Sequence, residues 1–170
     1  DAQVRGQETT RIPINNFDDT YTWSVTNDNG HAVVQGSGHT GAIVVTGLTN
    51  GQTVSGTVKA TKTGHFDGES PYSGAALEAP KEFTLGTAVP GNRSFTIPIN
   101  GYDSDWDWSQ THASVGTATV DASGETKVVR VTGLDPLQAS HVTVIATRVG
   151  WLDASVEGDG AADIGGQLDP

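Results

Sequence analysis

Large apolar residues along this chain alternate with small polar ones in short runs, and each run is closed by a cluster of Gly, Asn or Asp. Alternation with a period of two places one face of an extended segment in a core and the other in solvent. Tyr21-Thr22-Trp23-Ser24-Val25 predicts such a strand. Ile43-Val44-Val45 and Val128-Val129-Arg130-Val131 predict two more, each ended by a Gly-Leu pair. Val54 to Thr61 and Val142 to Thr147 predict the strands that follow, with Val, Thr and Ala filling the pleat. Gly36-Ser37-Gly38 and Ala122-Ser123-Gly124 read as turns at matching places, and Asn27-Asp28-Asn29-Gly30 reads as a turn in the first half only. Almost no stretch carries helical periodicity, so the chain is all-β.

The same pattern is written twice. Arg11-Ile12-Pro13-Ile14-Asn15 returns as Thr96-Ile97-Pro98-Ile99-Asn100, and Tyr21-Thr22-Trp23-Ser24 as Trp106-Asp107-Trp108-Ser109, both at an offset of 85. Val45-Thr46-Gly47-Leu48 returns as Val131-Thr132-Gly133-Leu134, and Thr57–Gly64 as Thr143–Gly150, at an offset of 86. One residue is therefore gained after the Trp strand, and a loop is the expected place. A unit of this length exceeds the roughly 20–50 residues of a solenoid repeat. The expectation is two tandem small domains, residues 1–79 and 80–170, of about seven strands each. The last strand of the first copy is expected over Tyr72–Leu77. The join around Ala79-Pro80 is short, which predicts limited bending. Pro13 and Pro98 stand inside apparent strands, where proline cannot donate to a ladder, so these positions predict an edge, a bulge or a strand start.

Val45-x-Gly47-Leu48-x-x-Gly51 followed by an alternating strand resembles fibronectin type III and related immunoglobulin-like modules of bacterial surface proteins. The second copy keeps Val131-x-Gly133-Leu134 but carries Leu137 at the turn glycine. The resemblance implies two immunoglobulin-like (fibronectin type III-like) β-sandwiches. It also implies a Leu capping the core at the end of one strand. The aromatic corner of that family should fall six residues after the leucine, where this chain has Val54 and Ser140, so the tyrosine corner is missing. The Ala-Thr-(Lys/Arg)-x-Gly-(His/Trp)-(Phe/Leu)-Asp loop is similar to those of multi-repeat secreted bacterial proteins. A non-catalytic stalk, spacer or adhesive segment, extracellular or wall-anchored, is the implied role.

Composition narrows the chemistry. The chain of 170 residues has no Cys, which removes disulfides, thiol nucleophiles and Cys-based metal sites. It also has no Met, which marks it as a piece of a longer chain whose other domains are its first expected partners. The net charge of −11 argues against nucleic acid and against anionic membrane. No apolar run reaches the ~18 residues of a membrane span, and nothing in the pattern calls for more than a monomer.

The five histidines show no metal spacing, and no nucleophile elbow, H-E-x-x-H or phosphate loop occurs, so no catalytic residue is assigned. Asp103-Ser104-Asp105-Trp106-Asp107 is the sharpest cluster. Oxygens at alternate positions resemble a calcium loop, and Asp103, Asp105 and Asp107 are the candidate ligands. The glycine at six and glutamate at twelve of an EF-hand are replaced by Trp108 and Ser114, so the expectation is no cofactor, with calcium as the alternative. Strand alternation would set these carboxylates on the solvent face, opposite Trp106 and Trp108. Phe66 and Trp151 fall in equivalent loops and are the candidate contacts for a glycan or a host or cell-surface protein. Lys59 stands mid-strand, and surface modules of this class can join Lys to Asn covalently across the core. The second copy has Ile145 there.

Overall fold

The structure is a computed structural model that describes residues 2–26 and 31–164. The expected turn at Asn27-Asp28-Asn29-Gly30 lies outside the described residues. By contacts the chain divides into two compact units, one of residues 1–79 with 150–152, the other of 80–149 with 153–170.

The first unit is built from β1 (Val4–Gly6), β2 (Thr9–Ile14), β3 (Thr22–Val25), β4 (His31–Ser37), β5 (Thr40–Thr46), β6 (Thr53–Thr61) and β7 (Gly68–Ala75). They form two antiparallel sheets, β1-β2-β5-β4 and β3-β6-β7. That order is the ABED and CFG arrangement of constant-type immunoglobulin domains. Ile43, Val45 and Leu48 from one side meet Val54, Val58 and Tyr72 from the other to make the core. Strand β7 begins earlier than Tyr72, because Gly68 to Ser73 pair with β6 as far as Ala60. The turn expected at Gly36-Ser37-Gly38 sits later. Gly36 and Ser37 still pair across the hairpin, and Gly38 takes the left-handed conformation at the loop.

The second unit repeats this order with β8 (Thr84–Leu85), β9 (Val89–Gly91), β10 (Ser94–Asn100), β11 (His112–Ala113), β12 (Thr117–Asp121), β13 (Val128–Thr132), β14 (Ala139–Ala146) and β15 (Ala154–Ala161). One sheet runs β12-β13-β10 with β8 and β9 both on β10, and the other runs β11-β14-β15. The first strand is thus split in two. Pro98 explains the split: its carbonyl accepts the Gly86 N–H at 2.8 Å on that side of β10, but it has no N–H to return. Pairing stops at Gly86 and resumes at Val89. The prolines therefore stand in interior strands, facing the place where the outer strand is broken or ends.

The extra residue lies in the turn that separates the Asp107 bridge from β11, after the Trp strand, where a loop was expected. Thr22 pairs with Thr61, and its counterpart Asp107 bridges Thr147. Thr26 bonds to Thr57, and His112 pairs with Thr143, one residue further along. The surplus residue is taken up where Ser109 and Gln110 turn, with the Thr111 N–H donating to the Trp108 carbonyl at 3.2 Å. Buried Thr111 closes the gap, its hydroxyl accepting the Ile145 N–H at 3.1 Å.

The motif behind the resemblance is a shared turn. Leu48 N–H donates to the Glu8 carbonyl and Leu134 N–H to that of Arg93, both acceptor residues lying at positive φ. Gln52 and Gln138 cap their turns identically, each accepting a backbone N–H at 2.8 Å. Gly51 and Leu137 both take the left-handed conformation, at φ of 71° and 61°. A side chain at Gly51 would collide with the Glu78 carboxylate, whereas Leu137 points largely to solvent. Val54 and Ser140, at the aromatic-corner position, are buried, and the Ser140 hydroxyl donates to the Val115 carbonyl at 2.7 Å.

Candidate functional site

The acidic cluster is a tryptophan anchor. Asp103 Oδ1 accepts the Asp105 N–H at 2.8 Å, closing an Asx turn. The Asp103 carbonyl then accepts the Trp108 indole N–H at 2.9 Å. The first unit builds the same device: Asp18 Oδ1 takes the Thr20 N–H at 2.9 Å, and the Asp18 carbonyl takes the Trp23 indole at 2.8 Å. Phe17 stacks on Trp23 at 5.1 Å, and Tyr102 stacks on Trp108 at 5.2 Å. Asp107 Oδ1 accepts the Ser109 N–H, and bonds from the Ser109 side chain and backbone hold its carboxyl below the ordinary carboxylate value. Asp105 and Asp107 lie on the exposed face while Trp106 and Trp108 are buried. Among the described residues no group of three or more His, Asp or Glu side chains is arranged to hold a metal ion. The structure therefore does not bring Asp103, Asp105 and Asp107 together as ligands, because two of the three carboxylates are turned back onto their own backbone.

The two loop aromatics take different settings. Phe66 is fully exposed at the tip between β6 and β7. Behind it His65 meets the Tyr21 ring edge-on at 5.8 Å, and the Lys62 ammonium lies 5.1 Å from the centre of that ring. Trp151 is half-buried in the first compact unit, where it forms a parallel bridge with Glu78. Lys59, half-exposed, pairs with Asp67 at 3.3 Å and Glu69 at 3.7 Å. These carboxylates hold its ammonium above the ordinary lysine value, through the Asp67 hydrogen bond first. It lies at the surface and not across a core, so a covalent link to Asn is not its setting.

A groove of about 660 Å³ opens between the sheets of the first unit. Ile12 and Ile14 of β2, Trp23 of β3, and Pro71 and Tyr72 of β7 form its apolar walls. It is open because β1 pairs with β2 only from Thr9 to Arg11, leaving the rest of β2 without a neighbour on that side among the described residues. Tyr72 closes the floor by donating its hydroxyl to the Thr26 carbonyl at 2.6 Å. Pattern reading missed this groove.

No family model matches this chain, and no curated protein matches it. Among solved structures it is similar to a chimeric titin Z1Z2 functionalized with a KLER exogenous peptide from decorin. The identity is 11%, the match covers 94% of this chain and 92% of that one, and the TM-score is 0.31. The immunoglobulin-like assignment rests on the sheet order described above, to which so low a score adds nothing.

Proposed function

We propose that this chain is a non-catalytic module of a secreted or wall-anchored bacterial surface protein, serving as a stalk or spacer between other domains. Its fibronectin type III-like or bacterial immunoglobulin-like character belongs to the same proposal. One observation carries it: the residues that both copies retain, and that look chemical, hold the fold in both copies. Asp18 with Trp23 and Asp103 with Trp108 make the same turn, the same carbonyl-to-indole bond and the same ring stack. Selection on a spacer would act on such anchors and leave loops to diverge.

The exposure of Phe66 favours a second reading, recognition of a glycan or a cell-surface protein by loop aromatics. The two readings separate in one assay. Binding of the full chain to a panel of bacterial and host polysaccharides is measured with and without calcium, beside Phe66→Ala and Trp151→Ala. The spacer reading expects no saturable binding in any condition. Saturable binding that Phe66→Ala or Trp151→Ala abolishes would replace it with the recognition reading. Dependence on calcium would return Asp103, Asp105 and Asp107 as the first ligands to test.

A further inference from the structure

The sheet edges of both units are guarded, with one exception among the described residues. Strand β7 carries Glu69 and Pro71, and β15 carries Glu157 and Asp159. Strand β12 carries Asp121, whose carboxylate meets Arg130 at 3.4 Å. Strands β1, β3, β8, β9 and β11 are only two to four residues long. Charge, proline and short length are the means by which an edge avoids pairing with another chain. Strand β4 uses none of them. It runs for seven residues, His31-Ala32-Val33-Val34-Gln35-Gly36-Ser37, with no Asp, Glu, Lys, Arg or Pro, in a chain of net charge −11.

The twin strand shows what is missing. At the offset of 86, Thr119 stands for Val33, Asp121 for Gln35, and Arg130 on the neighbouring strand for Val44. Val33 pairs with Val44 as Thr119 pairs with Arg130. The outward face of this corner is therefore polar and charged in the second unit and apolar in the first, where Val33 is 48% exposed. The backbone is open as well. Ser37 and Thr40 close a two-residue hairpin, so the hydrogen bonds to β5 fall at Ser37, Gln35, Val33 and His31. The N–H and C=O groups of Ala32, Val34 and Gly36 point off the edge of the sheet, which ends at β4.

We propose that β4 is a self-pairing edge: two copies of this chain join antiparallel through it, with the two-fold axis at Val33. In that register the two Val33 residues form a non-hydrogen-bonded pair, with Cα atoms about 4.5 Å apart. Ala32 of each copy exchanges backbone bonds with Val34 of the other, and His31 faces Gln35. A two-fold contact needs a patch complementary to itself, and this one sets apolar on apolar and polar on polar. Charge favours a second copy at this place, because two acidic chains can meet here with no carboxylates directly opposed. One strand pair buries less than the roughly 1,000 Å² of a stable interface, so the dimer is weak and forms at high concentration. Copies held side by side, as the spacer reading has them, would supply that concentration, but the pairing itself does not depend on that reading.

The mass of the full chain is followed by sedimentation from about 10 μM to about 1 mM, the range in which a weak contact fills. It should climb from 17.6 kDa toward twice that value. Val33→Lys should stay monomeric throughout, because like charges then meet at the axis. Its melting midpoint at the lowest concentration should match that of the parent chain. The absence of Cys allows a second readout. Val33→Cys and Thr119→Cys are oxidised separately at equal concentration. Val33→Cys should cross-link about tenfold faster or more, since the paired Cα atoms lie within disulfide reach. A mass that stays at 17.6 kDa overturns the proposal and leaves β4 to a different partner. A dimer that Val33→Lys leaves intact also overturns it, as does cross-linking at the same rate in both Cys variants. None of these readouts depends on polysaccharide binding, so this proposal and the spacer reading stand or fall separately.

Discussion

Among the described residues, His141 is faced by two carboxylates that stabilise its charge. Its Nδ1 lies 2.8 Å from Asp159 Oδ1 and its Nε2 lies 3.6 Å from Glu157 Oε1, all on the β14–β15 ladder. The Asp159 hydrogen bond, opposed by partial desolvation, raises its pKa above the ordinary 6.5. A raised folded-state value means that this contribution is complete below about pH 6.5 and is lost as pH climbs through the higher folded value. Asp18, Asp107 and Asp121 act in the opposite sense. Hydrogen bonds from Thr20, Ser109 and Ser123 lower their pKa values below 3.8, so their contribution is present above that value and lost as pH falls through the depressed ones. Stability should therefore peak in the mildly acidic range between these windows. Melting midpoints measured from pH 5 to pH 8.5 should fall on the alkaline side, and His141→Gln should flatten that fall. An unchanged slope in the variant would remove His141 as its source. All four side chains are solvent-exposed or nearly so, and screening keeps each effect small.

At the scale of the element, a single inserted residue changes how a strand is held. Where β3 runs unbroken along β6, its counterpart is reduced to the Asp107–Thr147 bridge and the short β11, with Thr111 between them. The Thr111 hydroxyl replaces a backbone partner for Ile145. Thr111→Val keeps the shape and removes the acceptor, leaving a buried N–H unsatisfied at a cost of about 1–3 kcal/mol. Urea unfolding should show that loss, with the equivalent stretch of the first unit unaffected. The strands of the core were legible because Val45-x-Gly47-Leu48 and the Tyr21–Val25 alternation are local statements of burial. The offset change from 85 to 86 was legible as well, because it falls between two matched blocks, and the structure takes the residue up in the turn at Ser109 and Gln110, just after the Trp strand. The acidic run left two readings open. Asp103 and Asp107 have calcium-loop spacing, yet the same spacing builds Asx turns, and only coordinates show which way a carboxylate turns.

For the molecule as a whole, two nearly identical strand plans reach different degrees of closure, and stability should differ accordingly. Pairing order, turns and Trp anchors match from one unit to the other, so the differences concentrate along the groove of the first unit. Ile12, Ile14 and Trp23 retain exposure that Ile97, Ile99 and Trp108 lose. Partial exposure of three large side chains forfeits about 1 kcal/mol each at ordinary transfer values. Burial of Tyr72 opposite Gly158 returns part of that to the first unit, and the left-handed Leu137 subtracts about 1 kcal/mol from the second. The remainder favours the second unit by about 1–2 kcal/mol. Native-state hydrogen exchange can read this directly at matched core amides, Val45 against Val131 and Val58 against Val144. Val45 and Val58 should exchange roughly five to thirty times faster than their twins through unit-wide opening. Equal rates at both pairs would mean that burial of Tyr72 offsets the exposure of Ile12, Ile14 and Trp23. The groove would then be a surface feature with no energetic consequence.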